Sequence, residues 1–201
     1  MISISAIEQA LRSGAAVDPA DSGKVAAAVA IVLRSRHDEV ELLYIQRTHH
    51  PQDPWSGHIA FPGGRREAGD ATLRQTAVRE TREEVGLDLT RGRYLGHLET
   101  LDSASLSVSV TGYVYTVAPA VAVTANPKEV QTAFWVPVSV LLQPERHCTR
   151  TFSFRGLEKQ RMPALDLLGP DGPLLWGLTY RFTARLLRLA GHELPDAQAD
   201  S

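Results

Sequence analysis

The chain has 201 residues, of which 43% are hydrophobic and 22% are charged, and its formal net charge is −2. This length and composition predict one globular domain with a sizeable core, because the chain is too short for two full domains. A net charge so close to zero argues against binding nucleic acid through bulk electrostatics. The single cysteine, Cys148, excludes an intramolecular disulfide and a cysteine-based zinc cluster.

The amino-terminal segment lacks the basic start and the apolar run of a signal peptide. The longest apolar run, residues 25–33, has nine residues and is too short to cross a bilayer as a helix. We therefore predict a cytoplasmic protein with no membrane partner. Within it we expect an amino-terminal helix and connector at 1–24, a single domain at 25–191 and a polar tail at 192–201.

Hydrophobic periodicity predicts a mixed order of helices and strands. In chain order, the predicted elements are a helix at 2–12, a polar connector at 17–24, strands at 25–34 and 40–46 joined by a hairpin turn, a loop at 49–57, a helix at 71–85, strands at 94–101 and 108–117, a short helix at 136–142, a strand at 149–154 and a closing helix at 175–189. The strand at 25–34 has small apolar residues on both faces, which is typical of a buried central strand.

Three carboxylates lie close together on the predicted helix at 71–85. Glu80, Glu83 and Glu84 have i, i+3 and i+4 spacing, so they share one helical face. Like charges at this spacing repel by about 0.2–0.5 kcal/mol per pair on an exposed helix. The cluster therefore predicts a stabilising ligand such as Mg²⁺, which takes oxygen ligands and shares its shell with substrate phosphates. The alternative is a solvated glutamate-rich helix in which Arg79 pairs with Glu83.

The residues around this helix favour the metal site. Gly63 and Gly64 precede the helix, and consecutive glycines let the backbone approach a ligand closely. Gly86 follows the last carboxylate, where a helix commonly ends in a left-handed residue. A solvated helix does not require this combination of glycines, loop and acidic helix.

This combination resembles the sequence motif of the Nudix hydrolases, the Nudix box. The residues that match it are Gly64, Arg79, Glu80, Glu83, Glu84, Gly86 and Leu87. Three departures are visible: Asp70 stands where the first glutamate is usual, eight residues rather than seven separate it from Arg79, and Thr81 takes a hydrophobic position. The aspartate with the extra residue, after Phe-Pro-Gly-Gly, is similar to the coenzyme A diphosphatase branch.

Two downstream segments extend the resemblance. Glu129 lies where many Nudix enzymes have a glutamate that reaches the metal site from a loop opposite the helix; its alternative is a solvated loop carboxylate. Trp176-Gly177-Leu178-Thr179 resembles the start of the last helix in coenzyme A diphosphatases. The resemblance implies an α/β (α+β) fold of the Nudix type, an αβα sandwich with a mixed central β-sheet.

The chemistry that the resemblance implies is metal-dependent hydrolysis of a diphosphate. Glu80, Glu83 and Glu84 would bind Mg²⁺ or Mn²⁺, with the carbonyl of Gly63 as a further oxygen ligand. Such metals neutralise and orient a diphosphate and lower the pKa of a bound water.

Two catalytic roles follow from the same resemblance. Either Glu84 or Glu129 would take the proton from the attacking water, and the sequence leaves both open. Arg79 would orient the glutamates through charge-assisted hydrogen bonds, or else form a surface salt bridge that contributes little stability.

The candidates for substrate contacts are Arg47, Gly64, Arg65 and Trp55. Arg47 could clamp a phosphate or pair with an acidic side chain on the surface. Trp55 could stack on a base or cover the core. His49, His50 and His58 suggest a metal at first sight, but we interpret them as solvated loop histidines. Asp53 stands where the coenzyme A branch carries an arginine, and this charge reversal predicts weak recognition of the 3′-phosphate of coenzyme A.

Three functions remain open. The first is a diphosphatase for coenzyme A or an acyl derivative, which would release 3′,5′-adenosine bisphosphate and phosphopantetheine. The second is a diphosphatase for another nucleoside diphosphate derivative, such as ADP-ribose, a dinucleoside polyphosphate or an oxidised nucleotide. The third is a Nudix-fold binding module without catalysis, against which the retained, mutually repelling carboxylates argue. A homodimer also remains open.

Overall fold

A computed structural model describes residues 2–13, 24–50, 55–103, 107–154, 157–169 and 171–196. Asp53, the predicted connector apart from Lys24, and residues 197–201 of the predicted tail lie outside the described residues.

The described residues form four α-helices and ten strands. The helices are α1 (Ile4–Ser13), α2 (Leu73–Val85), α3 (Val138–Leu141) and α4 (Gly177–Leu189). The strands are β1 (Val25–Arg36), β2 (Glu39–Arg47), β3 (Ile59–Ala60), β4 (Gly63–Arg65), β5 (Arg93–Asp102), β6 (Val108–Thr116), β7 (Val130–Pro137), β8 (His147–Phe154), β9 (Leu157–Leu165) and β10 (Leu175–Trp176). No helix within the described ranges is long and apolar enough to cross a membrane.

Strand β1 lies in the middle of a mixed seven-stranded sheet. It runs parallel to β6 over its length. On its other side it is antiparallel to β4 near its start and to β2 near its end. Strand β7 pairs along β2, β3 pairs with the last part of β2, and β5 extends the sheet beyond β6. The pairing with β4 places Gly63 and Gly64 against the start of the central strand.

Helices cover both faces of this sheet. Ile31 and Leu33 of β1 belong to one buried cluster, to which α1 and α4 contribute. Ala30 and Val32 face the other way and belong to a second cluster with Ala77 of α2. The structure therefore confirms the predicted αβα sandwich, and β1 is buried on both faces because its residues are apolar on both.

Strands β8, β9 and β10 form a separate antiparallel sheet. The short strand β10 pairs with β9, with Trp176 opposite Ala164, and passes directly into α4. Phe152 of β8 stacks on Trp176 with ring centroids 4.0 Å apart and an interplanar angle of 11°. The second sheet thereby fixes the start of α4 beside the main sheet.

The predicted order of elements is confirmed at most positions. The hairpin between β1 and β2 turns at His37 and Asp38, whose φ angles of 50° and 61° are those of a tight two-residue turn. The prediction was wrong at two helix starts, because residues 136–137 end β7 and residues 175–176 form β10. Strands β3, β4, β7 and β9 are not predicted by the sequence, since they are short or interrupted by polar residues and depend on pairing with neighbours.

Candidate active site

Helix α2 has well-defined ends that fix the position of its carboxylates. At its start, the Thr72 side chain accepts a hydrogen bond from the backbone N–H of Gln75, and the Gln75 side chain accepts one from Thr72. At its end, Gly86 adopts the left-handed conformation with φ of 66°, as predicted, and its N–H bonds Arg82 O. Thr81, which replaces a hydrophobic residue, is buried with its hydroxyl bonded to the carbonyl of Ala77 at 2.7 Å.

Three carboxylates converge at the inner side of α2. Ligand oxygens of Glu80, Glu84 and Glu129 all lie within 4.8 Å of one another. Glu80 and Glu84 are one helical turn apart, whereas Glu129 arrives from the loop before β7. The backbone N–H of Asn126 bonds the carbonyl of Glu84 at 2.8 Å, which ties this loop to the helix.

Glu84 is the most enclosed member of this group, with 1% of its surface exposed. Its Oε2 accepts a hydrogen bond from the Gly63 N–H at 2.9 Å, and its Oε1 lies 3.3 Å from Arg47 Nη1. Burial raises the pKa of Glu84 to about 8, although both of these contacts oppose the shift. Burial also raises the pKa of Glu80, and the charge of Arg79 opposes that shift. The metal-free site therefore holds carboxylates in a setting that disfavours their charge.

Gly63 and Gly64 are required by space. A Cβ added to Gly63 would lie 2.3 Å from the carbonyl oxygen of Ala28, so any side chain there would collide with β1. A Cβ added to Gly64 would lie 2.3 Å from Oε1 of Glu80. The first glycine allows the β4 strand to pack against β1, and the second leaves room for a carboxylate.

Arg79 organises the helix from its outer side. Its Nε and Nη2 donate to both oxygens of Asp70, at 3.1 and 2.9 Å. Its Nη1 donates to Glu80 at 3.0 Å and to Glu83 at 2.9 Å. These contacts raise the pKa of Arg79, chiefly through Asp70, so it stays charged. The hydrogen bonds from Arg79 lower the pKa of Asp70 to about 2.

The structure brings some predicted metal ligands together and not others. Glu80 and Glu84 meet with Glu129, whereas Glu83 does not belong to this group of three. Its side chain is 49% exposed and is paired with Arg79. The N–H of Gly63 donates a hydrogen bond to Glu84. That the carbonyl of Gly63 is a metal ligand stays a prediction.

A cavity of about 630 Å³ opens beside the carboxylates. All four predicted substrate contacts line it, namely Arg47, Gly64, Arg65 and Trp55. Arg47 pairs with the buried Glu84. His58 also lines the cavity, half-buried, with its ring edge-on to Trp176 at 5.1 Å. The interpretation of His58 as a solvated histidine was therefore wrong.

Sequence reasoning missed two parts of this site. Asp70 is named only as a departure from the motif, but it is buried and accepts bonds from Arg79, from the Thr76 hydroxyl and from the Glu67 N–H. The opposite side of the cavity is missed as well. It is lined by Val108, Val110, Met162, Trp176, Leu178, Arg181 and Phe182. Only the Trp-Gly-Leu-Thr segment offered a signal for this side.

Known proteins resemble this chain over most of its length. The family model described as NUDIX domain matches residues 24–155. An uncharacterized Nudix hydrolase from Yersinia enterocolitica is 31% identical over 83% of this chain and 81% of that protein. Human mitochondrial coenzyme A diphosphatase is 32% identical over 81% of this chain and 68% of that protein. The chain matches only 34% of the length of an uncharacterized Schizosaccharomyces pombe protein, at 36% identity over 52% of this chain.

One solved structure is similar over nearly the whole chain. A MutT/nudix family protein from Enterococcus faecalis aligns over 91% of this chain and 72% of that chain, with a TM-score of 0.53 and 17% identity. At this identity the likeness supports the fold alone. Together with the family model and the relatives, the helix, glycines and carboxylates show that this chain belongs to the Nudix family and is a hydrolase that acts on pyrophosphate bonds.

Proposed function

We propose that this protein is a Mg²⁺- or Mn²⁺-dependent diphosphatase that cleaves coenzyme A or a closely related nucleoside diphosphate derivative. The observation that carries the proposal is the convergence of Glu80, Glu84 and Glu129 at one end of a cavity that Arg47 and Arg65 also line. Carboxylates suit a hard cation, and arginines suit the phosphates of the substrate.

The residues present fit a divalent cation. Hard divalent cations take carboxylate oxygens as ligands, and oxygens of Glu80, Glu84 and Glu129 lie within 4.8 Å of one another. A cation would also relieve the electrostatic cost of burying Glu84. Glu83 would complete the ligand set by exchanging its ion pair with Arg79 for the cation, and its exposure leaves it free to move.

A bound cation would neutralise the diphosphate and lower the pKa of the attacking water. The chain's own residues supply the rest. Arg79 holds Glu80 in place from the outer side of the helix. Arg47 and Arg65 bind the phosphate oxygens. The oxygen of water attacks one phosphorus atom, the bridging P–O bond breaks, and the second phosphate leaves.

The proton of the attacking water passes to Glu129 in this proposal. Both oxygens of Glu84 are already engaged, one with Gly63 and the other with Arg47. Glu129 is exposed, and within the described ranges its carboxylate accepts one hydrogen bond, from Asn126 Nδ2, which is long at 3.3 Å. A general base must be able to reach the substrate water, and Glu129 is the freer of the two.

The choice of coenzyme A is supported by similarity to human mitochondrial coenzyme A diphosphatase. A panel of coenzyme A, dephospho-coenzyme A, ADP-ribose, diadenosine tetraphosphate and an oxidised nucleotide, with Mg²⁺ or Mn²⁺, tests the proposal. We expect 3′,5′-adenosine bisphosphate and phosphopantetheine from coenzyme A by mass spectrometry, and no products with a chelator. Cleavage of ADP-ribose alone would show that ADP-ribose, and not coenzyme A, is the substrate. If no compound on the panel were cleaved, the proposal that the protein is a diphosphatase would be contradicted.

A further inference from the structure

The cavity continues away from the carboxylates into a part that we call the apolar arm, lined by Val108, Val110, Met162, Trp176, Leu178 and Phe182. The two β6 residues and the two α4 residues belong to the same buried cluster or pack against it. Met162 and Trp176 come from the second sheet. The walls of the arm are therefore aliphatic and aromatic on more than one side.

Strand register places one residue of the arm away from the paired glycines. Gly63 lies opposite Val29 of β1, and Val108 lies opposite Val25 of the same strand. Four residues along a strand span about 13 Å. Val108 therefore lines the cavity at a position about that far along β1 from Gly63.

Charge is distributed unevenly between the two ends of the cavity. Arg47 and Arg65 line it at the carboxylate end. Among the described residues on the side of the arm, Arg181 is the one cation that lines the cavity; it is exposed and donates to the Asp102 carbonyl at 3.3 Å. A phosphate-bearing half of the substrate fits the first end. An uncharged, largely apolar half fits the second.

Four of the six residues of the arm come from sequence that the family model does not cover. That match ends at residue 155, whereas Met162, Trp176, Leu178 and Phe182 follow it. The carboxylates all lie inside the matched segment. The carboxylates thus lie in the segment that the family model matches, whereas most of the arm lies after it.

Building on the proposed function, we propose that the apolar arm binds the non-nucleotide half of the substrate and that Trp176 is its main specificity-determining residue. The substrate class is a nucleoside diphosphate whose second half is an elongated, uncharged chain of the pantetheine kind. One face of the Trp176 ring is covered by Phe152, and the β10 pairing holds its backbone. The residue therefore forms a fixed wall against which a chain packs.

Dephospho-coenzyme A and ADP-ribose test this directly, because they share the adenosine diphosphate and differ only in the second half. We expect Trp176→Leu to lower kcat/KM about tenfold for dephospho-coenzyme A and less than about twofold for ADP-ribose. Met162→Gln should give a smaller loss with the same preference. Trp135→Leu is the matched control, since Trp135 packs under Arg34 and does not line the cavity. This substitution should leave kcat/KM unchanged for both substrates. Thermal unfolding checks that each variant is folded.

Two results would overturn the assignment of the arm. Equal losses on both substrates would mean that the arm binds the shared adenosine, and no loss on either would mean that the arm is not used. If the wild-type protein cleaves neither dephospho-coenzyme A nor ADP-ribose, the proposed substrate is wrong. Calorimetric titration then tests separately whether the arm binds a pantetheine chain. The affinity for phosphopantetheine should then be about tenfold higher in the wild type and in Trp135→Leu than in Trp176→Leu. The affinity for ribose 5-phosphate should be the same in all three proteins. Absence of phosphopantetheine binding would contradict the inference.

Discussion

The two ends of the cavity are built in different ways. At the carboxylate end, Glu80 and Glu84 lie within one turn of α2, the adjoining glycines are in β4, and one loop adds Glu129. At the apolar arm, the side chains come from β6, β9, β10 and α4. The carboxylate end is built mainly from neighbouring segments of the sequence and contains buried carboxylates. The apolar arm is built from segments that are distant in sequence and contains almost no charged side chains.

This difference separates chemistry from selection. Buried carboxylates must be placed to within fractions of an ångström, which one capped helix and a fixed strand achieve locally. An apolar wall tolerates changes of shape and needs only the right volume. Substitutions at the carboxylate end should therefore lower turnover on all substrates, whereas those in the arm should act on some substrates only.

The largest effect is expected from Glu84→Gln. The substitution removes a buried ligand charge, so kcat should fall by about 10³-fold on every substrate that the protein accepts. Stability of the metal-free protein should be unchanged or slightly higher, because an amide oxygen can still accept from the Gly63 N–H and no buried charge remains. Steady-state kinetics with saturating Mg²⁺ and thermal unfolding measure both.

Measuring kcat of Glu83→Gln beside that of Glu84→Gln tests whether Glu83 is also a metal ligand. A comparable loss would support Glu83 as a ligand that leaves Arg79 when the cation binds. Near-wild-type turnover of Glu84→Gln would show that the metal site is assigned wrongly.

Glu129→Gln should lower kcat by about 10²-fold, the range of a lost general base. It should weaken metal binding less than Glu84→Gln does, because Glu129 is exposed and comes from the loop side. Calorimetric titration with Mn²⁺ on both variants gives the two affinities. Unchanged kinetics would reduce Glu129 to a solvated loop residue.

Gly64→Ala should lower kcat by about tenfold, in the range expected for a displaced supporting group. The new Cβ would lie 2.3 Å from Glu80 Oε1, and this carboxylate must move while the backbone does not. Stability should change little. Gly69→Ala is the control, because nothing lies within 4 Å of a Cβ there. Equal activity of the two variants would show that Glu80 tolerates displacement.

Much of the carboxylate end could be predicted from the sequence, because helix spacing fixes which side chains meet. The closing glycine and the pairing of Glu80 with Glu84 follow from local rules, whereas Glu129 was predicted from the resemblance to Nudix enzymes and Glu83 lies outside the group of three. Asp70 could not be predicted in the same way, since its role depends on Arg79 folding back across the helix. The arm could not be predicted at all from periodicity, because Val110 and Trp176 are brought together by strand pairing and by the placement of α4.

Asp70→Asn should lower the free energy of unfolding by about 1–2 kcal/mol at pH 7, less than the full pKa shift would give because solvent screens the pair. The folded-state pKa of about 2 lies below the unfolded value of 3.8. This contribution is therefore present above pH 3.8 and is lost as the pH falls toward 2. Urea unfolding between pH 2 and 7 should show the wild-type and variant curves converging at low pH.

Asp102→Asn is the matched control for this prediction. Asp102 pairs with Lys24, but its side chain is 56% exposed. We therefore expect Asp102→Asn to change the free energy of unfolding much less than Asp70→Asn does. A constant difference between Asp70→Asn and wild type across the whole pH range would contradict the ion pair as its cause.

The smallest effect concerns the 3′-phosphate of coenzyme A. By the resemblance to coenzyme A diphosphatases, Asp53 stands where an arginine is usual, and a carboxylate there would repel this phosphate. Wild type should cleave coenzyme A and dephospho-coenzyme A with kcat/KM values within about twofold. Asp53→Arg should favour coenzyme A by about tenfold, through a two-pronged contact. A strong wild-type preference for coenzyme A would instead assign the 3′-phosphate to an arginine of the cavity, and Arg65→Gln and Arg181→Gln would then identify which end binds it.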